Sequence, residues 1–319
     1  MENLATKDGG TDVHARTDET SCGNGIRTGA EYLEGLRDDR EVWISGKRVG
    51  DVTREAGMMR GTATLASFLD RQHEDNYRST VTYVDDDGDR CAMAFMPPKS
   101  KEDVKARGRA YYEWATWSNG MFGRTPDYKN ASMMAFAHST GFLEQGNKGP
   151  GGKAFAQNMV TFYNHARKHD KVLTHTLVNP TFNHARAQKG KFSSEVALQV
   201  TEERDDGIVV NGARLLATLG PFSDEIEVFP STVLQASEDN IPFAFAFALP
   251  IATPGLKLIC TNSYGHGKST FDAPLASRFE EMDAVVIFDN VLYRGNVFFC
   301  MVNRRSATKR STQQMLLFT

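Results

Sequence analysis

Cysteine is scarce. Four occur in 319 residues, at Cys22, Cys91, Cys260 and Cys300, and no two form a CxxC pair. Such spacing suggests neither a disulfide framework nor a cysteine-rich metal site, and it suits a reduced cytoplasm. No apolar run reaches the roughly 18–20 residues that cross a bilayer, so no spanning helix and no membrane partner is expected. Positive charge is not in excess either. The formal net charge is −3, which leaves no basic field for nucleic acid. The first 26 residues are polar and lack an apolar h-region, so they read as a disordered leader and not as a signal peptide.

Several chemical signatures are absent as well. No GxGxxG opens a βαβ unit, and there is no GxSxG elbow. "YGHGKST" (264–270) ends like a phosphate loop, but Asn262 stands where the first glycine belongs, and Asp272 and Pro274 follow where a helix should run. His165 and His169 are four apart, at metal-ligand spacing. The glutamate of HExxH is missing, and Arg167, Lys168 and Lys171 oppose a dication, so the stretch reads as a solvated face and no metal is expected.

What remains has ordinary globular composition, 40% hydrophobic and 24% charged, with length for roughly two domains. Thr28 is a plausible N-cap for a helix over 27–39, and "REVWISGKRV" (40–49) predicts a hairpin turning at Ser45-Gly46. Helix is expected from 51 to about 72. Two short strands follow within 79–95, and helix resumes over 100–121 with Val104, Tyr111, Trp114, Ala115 and Trp117 as its buried face. Further helices are expected from Thr125-Pro126 toward Gly141 and over 154–170. From 195 to 291 the pattern changes to short alternating strands with turn signals at Asp206-Gly207 and Asn211-Gly212, as in a sandwich or barrel. The chain therefore reads as α+β: helical first, β second.

"WSNGMFGRTPDYKN" (117–130) carries the main chemical signal. Thr125-Pro126 is a hydroxyl N-cap followed by proline at the first helical position. Arg124 then stands just before the helix and Tyr128 within its first turn, where unpaired N–H groups and the helix dipole favour an anion. From spacing alone, a surface cation beside a packed aromatic is the commoner arrangement. In "DKVLTHTLVNP" (170–180), His175 lies inside an apolar run, where a lone histidine is more often a core residue than a catalyst.

Six ordered stretches together resemble the oxygenase components of the 4-hydroxyphenylacetate 3-hydroxylase family. They are "RTGAEYLEGLRDDREVWISGKRVGDVT", "WSNGMFGRTPDYKN", "LTHTLVNP", "GIVVNGARLLATLG", "PGLKLIC" and "PLASRFEEMDAVVIFDNV". The resemblance implies an acyl-CoA dehydrogenase-like fold with an N-terminal helical domain (27–170) and a β-barrel middle domain (171–292). It implies reduced FAD and O2 as cosubstrates, and hydroxylation of a phenol ortho to its hydroxyl through a C4a-hydroperoxyflavin. It also implies a separate NAD(P)H-flavin reductase and a homo-oligomer, a tetramer in the family. Arg124, Tyr128 and His175 match its phenol contacts. Thr181, Phe182, Asn183, His184 and Gln188 match a flavin-binding loop, and Thr218 matches a flavin-contacting threonine. Trp117, Met121 and Phe122 would line the approach and exclude water, while the glycines let backbone approach the ligand.

The resemblance stops after Val291. Residues 293–319 are an atypical tail, resembling the product of a frameshift or early stop, where the family continues into a C-terminal helical bundle. Two alternatives follow: a remnant without flavin chemistry that serves as a subunit or scaffold, and a relative of 4-hydroxybutyryl-CoA dehydratase. The latter needs iron–sulfur ligands, and no cysteine lies near Gly120 to Tyr128.

Overall fold

A computed structural model describes residues 25–141, 144, 151–180, 196–205, 207–230, 242–265, 268–294 and 298–301. The chain enters at α1 (Gly29–Gly35), capped as its sequence indicates. The Glu31 N–H donates to the Thr28 hydroxyl at 3.2 Å, and the Thr28 N–H donates to the Glu31 carboxylate at 2.7 Å. Strands β1 (Glu41–Ile44) and β2 (Lys47–Val49) form the expected hairpin, with Ser45 and Gly46 both at positive φ. Helices α2 (Met59–Arg71) and α3 (Asp75–Val81), strands β3 (Thr82–Val84) and β4 (Arg90–Ala92), and helices α4 (Lys101–Trp117), α5 (Pro126–Ala137) and α6 (Gly151–Lys168) complete the helical part.

Beyond it run β5 (Leu173–Thr176), β6 (Gln199–Arg204), β7 (Gly207–Thr218), β8 (Glu225–Val228), β9 (Phe245–Pro250) and β10 (Leu256–Cys260). The short helix α7 (Ala276–Phe279) and strands β11 (Asp283–Tyr293) and β12 (Phe298–Met301) follow. Among the described residues these strands divide into two sheets and do not close into a barrel. One has the order β2-β1-β10-β11-β7-β6 and the other β12-β9-β8-β5. The early hairpin belongs to the larger sheet, because β1 pairs in parallel with β10. The tail contributes too, since β12 pairs with β9.

The smaller sheet is the middle layer, and β9 shows why. Phe245, Phe247 and Leu249 pack in the core shared with the larger sheet, while Ala246 and Ala248 pack with Met133, Met134, Met159 and Phe162 of α5 and α6. Small residues on the second face let the helices lie close.

Three local expectations are corrected. Asn211-Gly212 is not a turn: β7 runs through it, and Gly212 sits at φ +123 beside a register shift, where an added Cβ would lie 2.7 Å from the Ala197 carbonyl oxygen. On α4 the buried residues are Ala110, Trp114 and Trp117, whereas Val104 and Ala115 are exposed. The last leader residues are also part of the fold, with Gly25 and Ile26 donating to the carbonyls of Lys168 and Arg90.

A buried ionic clamp ties these parts together. The Arg27 guanidinium donates to both carboxylate oxygens of Asp224, at 3.1 and 2.6 Å, and to the Asp170 carbonyl at 3.1 Å. Gln72 at the end of α2 donates to the Asp170 carboxylate at 2.7 Å. Burial alone would raise the Asp224 carboxyl, but Arg27, Lys171 and the Val172 N–H hold it down to about 2. Removing one partner of such a pair strands a buried charge. Arg27→Met should therefore cost about 3–5 kcal/mol in urea unfolding, against at most about 1 kcal/mol for Arg54→Met, whose ion pair with Asp51 is exposed. Equal losses would refute the clamp.

Candidate functional site

The loop after α4 turns through Asn119 and Gly120 at φ 52 and 68. Nothing lies within 4 Å of a Cβ built on Gly120, so this glycine serves the turn and not a close approach. Helix α5 starts at Pro126 as expected. The Thr125 hydroxyl does not cap it and donates instead to the Asp127 carboxylate.

Arg124, Tyr128 and His175 come together. The Arg124 guanidinium carbon lies 4.6 Å from the Tyr128 ring centroid, and the Tyr128 and His175 rings are 5.7 Å apart at 43°. Arg124 Nη1 donates to the Gly123 carbonyl at 3.1 Å, while its buried Nε has no hydrogen-bond partner. The Arg124 backbone N–H donates to the Glu281 carboxylate at 2.7 Å, which pins the loop. Burial, then the charges of Lys129 and Arg124, push the His175 imidazole down to about 3. It is therefore neutral at physiological pH, with one ring nitrogen able to donate and the other to accept. A fixed cation over a phenol ring, with a neutral imidazole beside that ring, forms a cluster that suits a small ionisable hydroxyl.

Two residues that sequence reasoning missed stand behind this group. Lys129 Nζ is 2.5 Å from Glu227 Oε2, with both side chains buried. Glu227 is the parallel register partner of His175, so both project to the same face of the sheet. The available signal was "DEIEVFP", an apolar strand with glutamates at alternate positions.

Thr218 lies across β5 from His175. Its hydroxyl donates to Asp283 at 2.5 Å, and its carbonyl accepts from the Thr174 hydroxyl at 2.5 Å. Thr181, Phe182, Asn183, His184 and Gln188 fall outside the described residues. The expected water-excluding lining is corrected. Trp117 and Phe122 are buried against Phe68, at 6.0 and 5.8 Å between ring centroids, and Met121 is exposed. Nor is "HARKH" a solvated face, because Arg167 is buried on Asp85 and His165 lies 3.2 Å from Glu225.

A family model described as the 4-hydroxyphenylacetate 3-hydroxylase N terminal matches residues 28–293. The 4-hydroxyphenylacetate 3-monooxygenase oxygenase component of Thermus thermophilus is 42% identical over 278 residues, covering 87% of this chain and 55% of its own length. The oxygenase component of a Rhodococcus 4-nitrophenol 2-monooxygenase is 31% identical over 283 residues, covering 86% and 52%. A crystal structure of an oxygenase component of 4-hydroxyphenylacetate 3-monooxygenase, complexed with FAD and 4-hydroxyphenylacetate, superposes with a TM-score of 0.80 at 41% identity. It covers 91% of this chain and 59% of that one. An archaeal 4-hydroxybutyryl-CoA dehydratase, at 16% identity and TM-score 0.76, shares the fold. The expected α+β, acyl-CoA dehydrogenase-like fold is thus borne out. The chain spans about half the length of the curated relatives it matches.

A neutral His175 has a direct signature. Its ring resonances in a pH-titrated NMR spectrum should stay unchanged from pH 8 down to about 4, because its lowered folded value puts protonation near 3. A midpoint near the ordinary value of about 6.5 would refute the burial and charge argument.

Proposed function

The chain belongs to the 4-hydroxyphenylacetate 3-hydroxylase family, and we propose on that premise that it carries the phenol-gripping part of an FADH2-dependent aromatic monooxygenase. The substrate is a phenol hydroxylated ortho to its hydroxyl, with 4-hydroxyphenylacetate as the first choice. The observation that carries this reading is the convergence of Arg124, Tyr128 and a neutral His175 at the start of α5.

The residues present also fit a flavin. Arg214 is fully buried, its guanidinium 5.8 Å from the Phe245 ring centroid; Nη1 donates to the Leu177 carbonyl at 3.0 Å, while Nε and Nη2 have no hydrogen-bond partner. Asn179, also buried, has neither amide atom satisfied. The bridge between Val178 and Leu215 sets Asn179 opposite Arg214, on the strand that ends at Thr218. Orphaned donors and an acceptor of this kind suit the pyrimidine edge of an isoalloxazine, whose carbonyls and N–H need partners. In this reading Asn179, Arg214 and Thr218 hold FAD together with the loop containing Thr181, Phe182, Asn183, His184 and Gln188.

When bound, reduced FAD supplies the two electrons that activate O2, one atom entering the ring and the other leaving as water. The chain's own residues prepare the phenol. Arg124 stabilises the oxygen as it loses its proton, which makes the ortho carbon more nucleophilic. The Tyr128 hydroxyl and the neutral ring nitrogens of His175 fix its direction by hydrogen bonding, and the proton passes to solvent, since the lowered His175 does not hold it. A separate flavin reductase, assembly into a homo-oligomer and a cytoplasmic setting complete the proposal. Among the described residues no helix is long and apolar enough to cross a membrane. Against a dehydratase-like alternative, the Cys91 and Cys260 thiols are buried and each pushed up to about 12 mainly by that burial, the opposite of metal-ready thiolates.

The test is anaerobic titration of the purified chain with reduced FAD, followed by oxygenated buffer containing 4-hydroxyphenylacetate. Binding and an ortho-dihydroxylated product are expected. Arg124→Ala should cut product formation about 100-fold or more without altering the unfolding curve. Equal turnover in that variant removes the role given to Arg124, and failure to bind flavin leaves the scaffold reading.

A further inference from the structure

Burying an ion pair rarely stabilises a fold, because desolvating both ions cancels most of their attraction. Lys129 and Glu227 are nevertheless buried together, with side-chain exposures of 7% and 0%. Neither Glu227 carboxylate oxygen receives a hydrogen bond, Oε2 meeting Lys129 only as an ion pair, and the neighbouring Asn130 is buried with its Oδ1 unpartnered. This is an imperfectly satisfied polar patch set inside the methionine- and phenylalanine-rich layer between α5 and the smaller sheet. Well-packed apolar residues would serve stability at least as well.

Its position supplies another reason for it. Lys129 follows Tyr128 in α5, and its Nζ lies 5.9 Å from the Tyr128 ring centroid. Glu227 shares the face and register position of His175. Lys129 also acts on His175, where it ranks after burial and ahead of Arg124 among the influences on the imidazole. The charged and titratable groups facing this point are Arg124, Tyr128 and Lys129 from α5 and its entry loop, His175 from β5, and Glu227 from β8 with Glu225 two residues away.

We propose that Lys129 is a second, internal cation of the phenol pocket, stationed by Glu227, which biases a bound phenol toward its phenolate. The inference rests on the reading of Arg124, Tyr128 and His175 as a phenol site. Arg124 presents one fixed charge from the loop side, and Lys129 presents the other from inside. Glu227 offsets part of that second charge and fixes where the ammonium sits. Burial pushes its carboxyl up, and the adjacent Lys129 ammonium pulls it back toward the charged form. Lys129 is thus an electrostatic positioning residue, acting on the phenol oxygen through space.

The probe is 4-nitrophenol, whose yellow phenolate band reports ionisation of the bound molecule. Its apparent pKa is read by pH titration on the purified chain, with far-UV circular dichroism and unfolding curves as controls. Wild type should hold it below the value of the free phenol, and Arg124→Met should raise it. Lys129→Met should raise it by about one unit, and Glu227→Gln should lower it further, because an offsetting negative charge is gone. Opposite signs from two partners of one pair distinguish this role from packing damage, which would move both the same way. Lys129→Arg should restore the wild-type value. Should Lys129→Met fail to fold, Lys129→Met/Glu227→Leu leaves no buried charge unpaired and must still raise the value. If Arg124→Met shifts the probe and the Lys129 and Glu227 variants do not, or shift it in one direction, this inference falls alone. If wild type binds no 4-nitrophenol, or binds it with an unshifted pKa, the phenol-site reading falls and takes the inference with it.

Discussion

Strand β8 carries two glutamates on the face it turns toward the helices, and they constrain that whole layer. Ile226 and Val228 point into the core shared with the larger sheet, so alternation sends Glu225 and Glu227 the other way. A carboxylate there needs a basic partner, because an isolated buried charge is prohibitive. Helix α6 brings His165 to Glu225, and α5 brings Lys129 to Glu227. Those pairings help fix how both helices lie on the sheet. Fixing α5 also fixes Tyr128, one residue before Lys129, against the His175 ring on the neighbouring strand.

The same charges explain why His175 is neutral. An imidazole this enclosed resists protonation by burial alone, and the nearby cations of Lys129 and Arg124 add to that resistance. Positive potential that disfavours imidazolium favours phenolate. In the proposed site, one field would therefore set both states.

Much of the local structure was legible because it depends on neighbours in sequence. The Thr28 N-cap and the turn at Ser45-Gly46 are of this kind. What failed was decided by distant partners. Asn211-Gly212 has the composition of a turn, but β6 and β11 hold β7 on both sides, and the glycine is used where the Ala197 carbonyl approaches. Thr125 marks the start of α5, yet its hydroxyl finds Asp127 before it finds the helix N–H groups. Arg124, Tyr128 and His175 could be singled out by residue type. Glu227 left only the weak signal of alternating glutamates in an apolar strand and Lys129 left none, since a lysine and a glutamate 98 positions apart become notable only when burial joins them.

The segment from Glu281 to Asp283 links the two halves of the proposed site. The Glu281 carboxylate accepts from the Arg124 N–H at 2.7 Å, and its carbonyl accepts from the Leu219 N–H at 3.0 Å. Leu219 is held at φ 64 and Met282 at φ 52, unusual values for such side chains that require firm surroundings. Asp283 then accepts the Thr218 hydroxyl. The loop presenting the guanidinium and the strand end carrying Thr218 are therefore anchored to one short segment, by Glu281 and Asp283. A shift in one is transmitted to the other through these hydrogen bonds, beside the edge-on packing of Phe122 against Phe279 at 6.1 Å. In the proposed reaction, that coupling would hold the substrate-binding loop and the flavin-contacting strand end at a set separation.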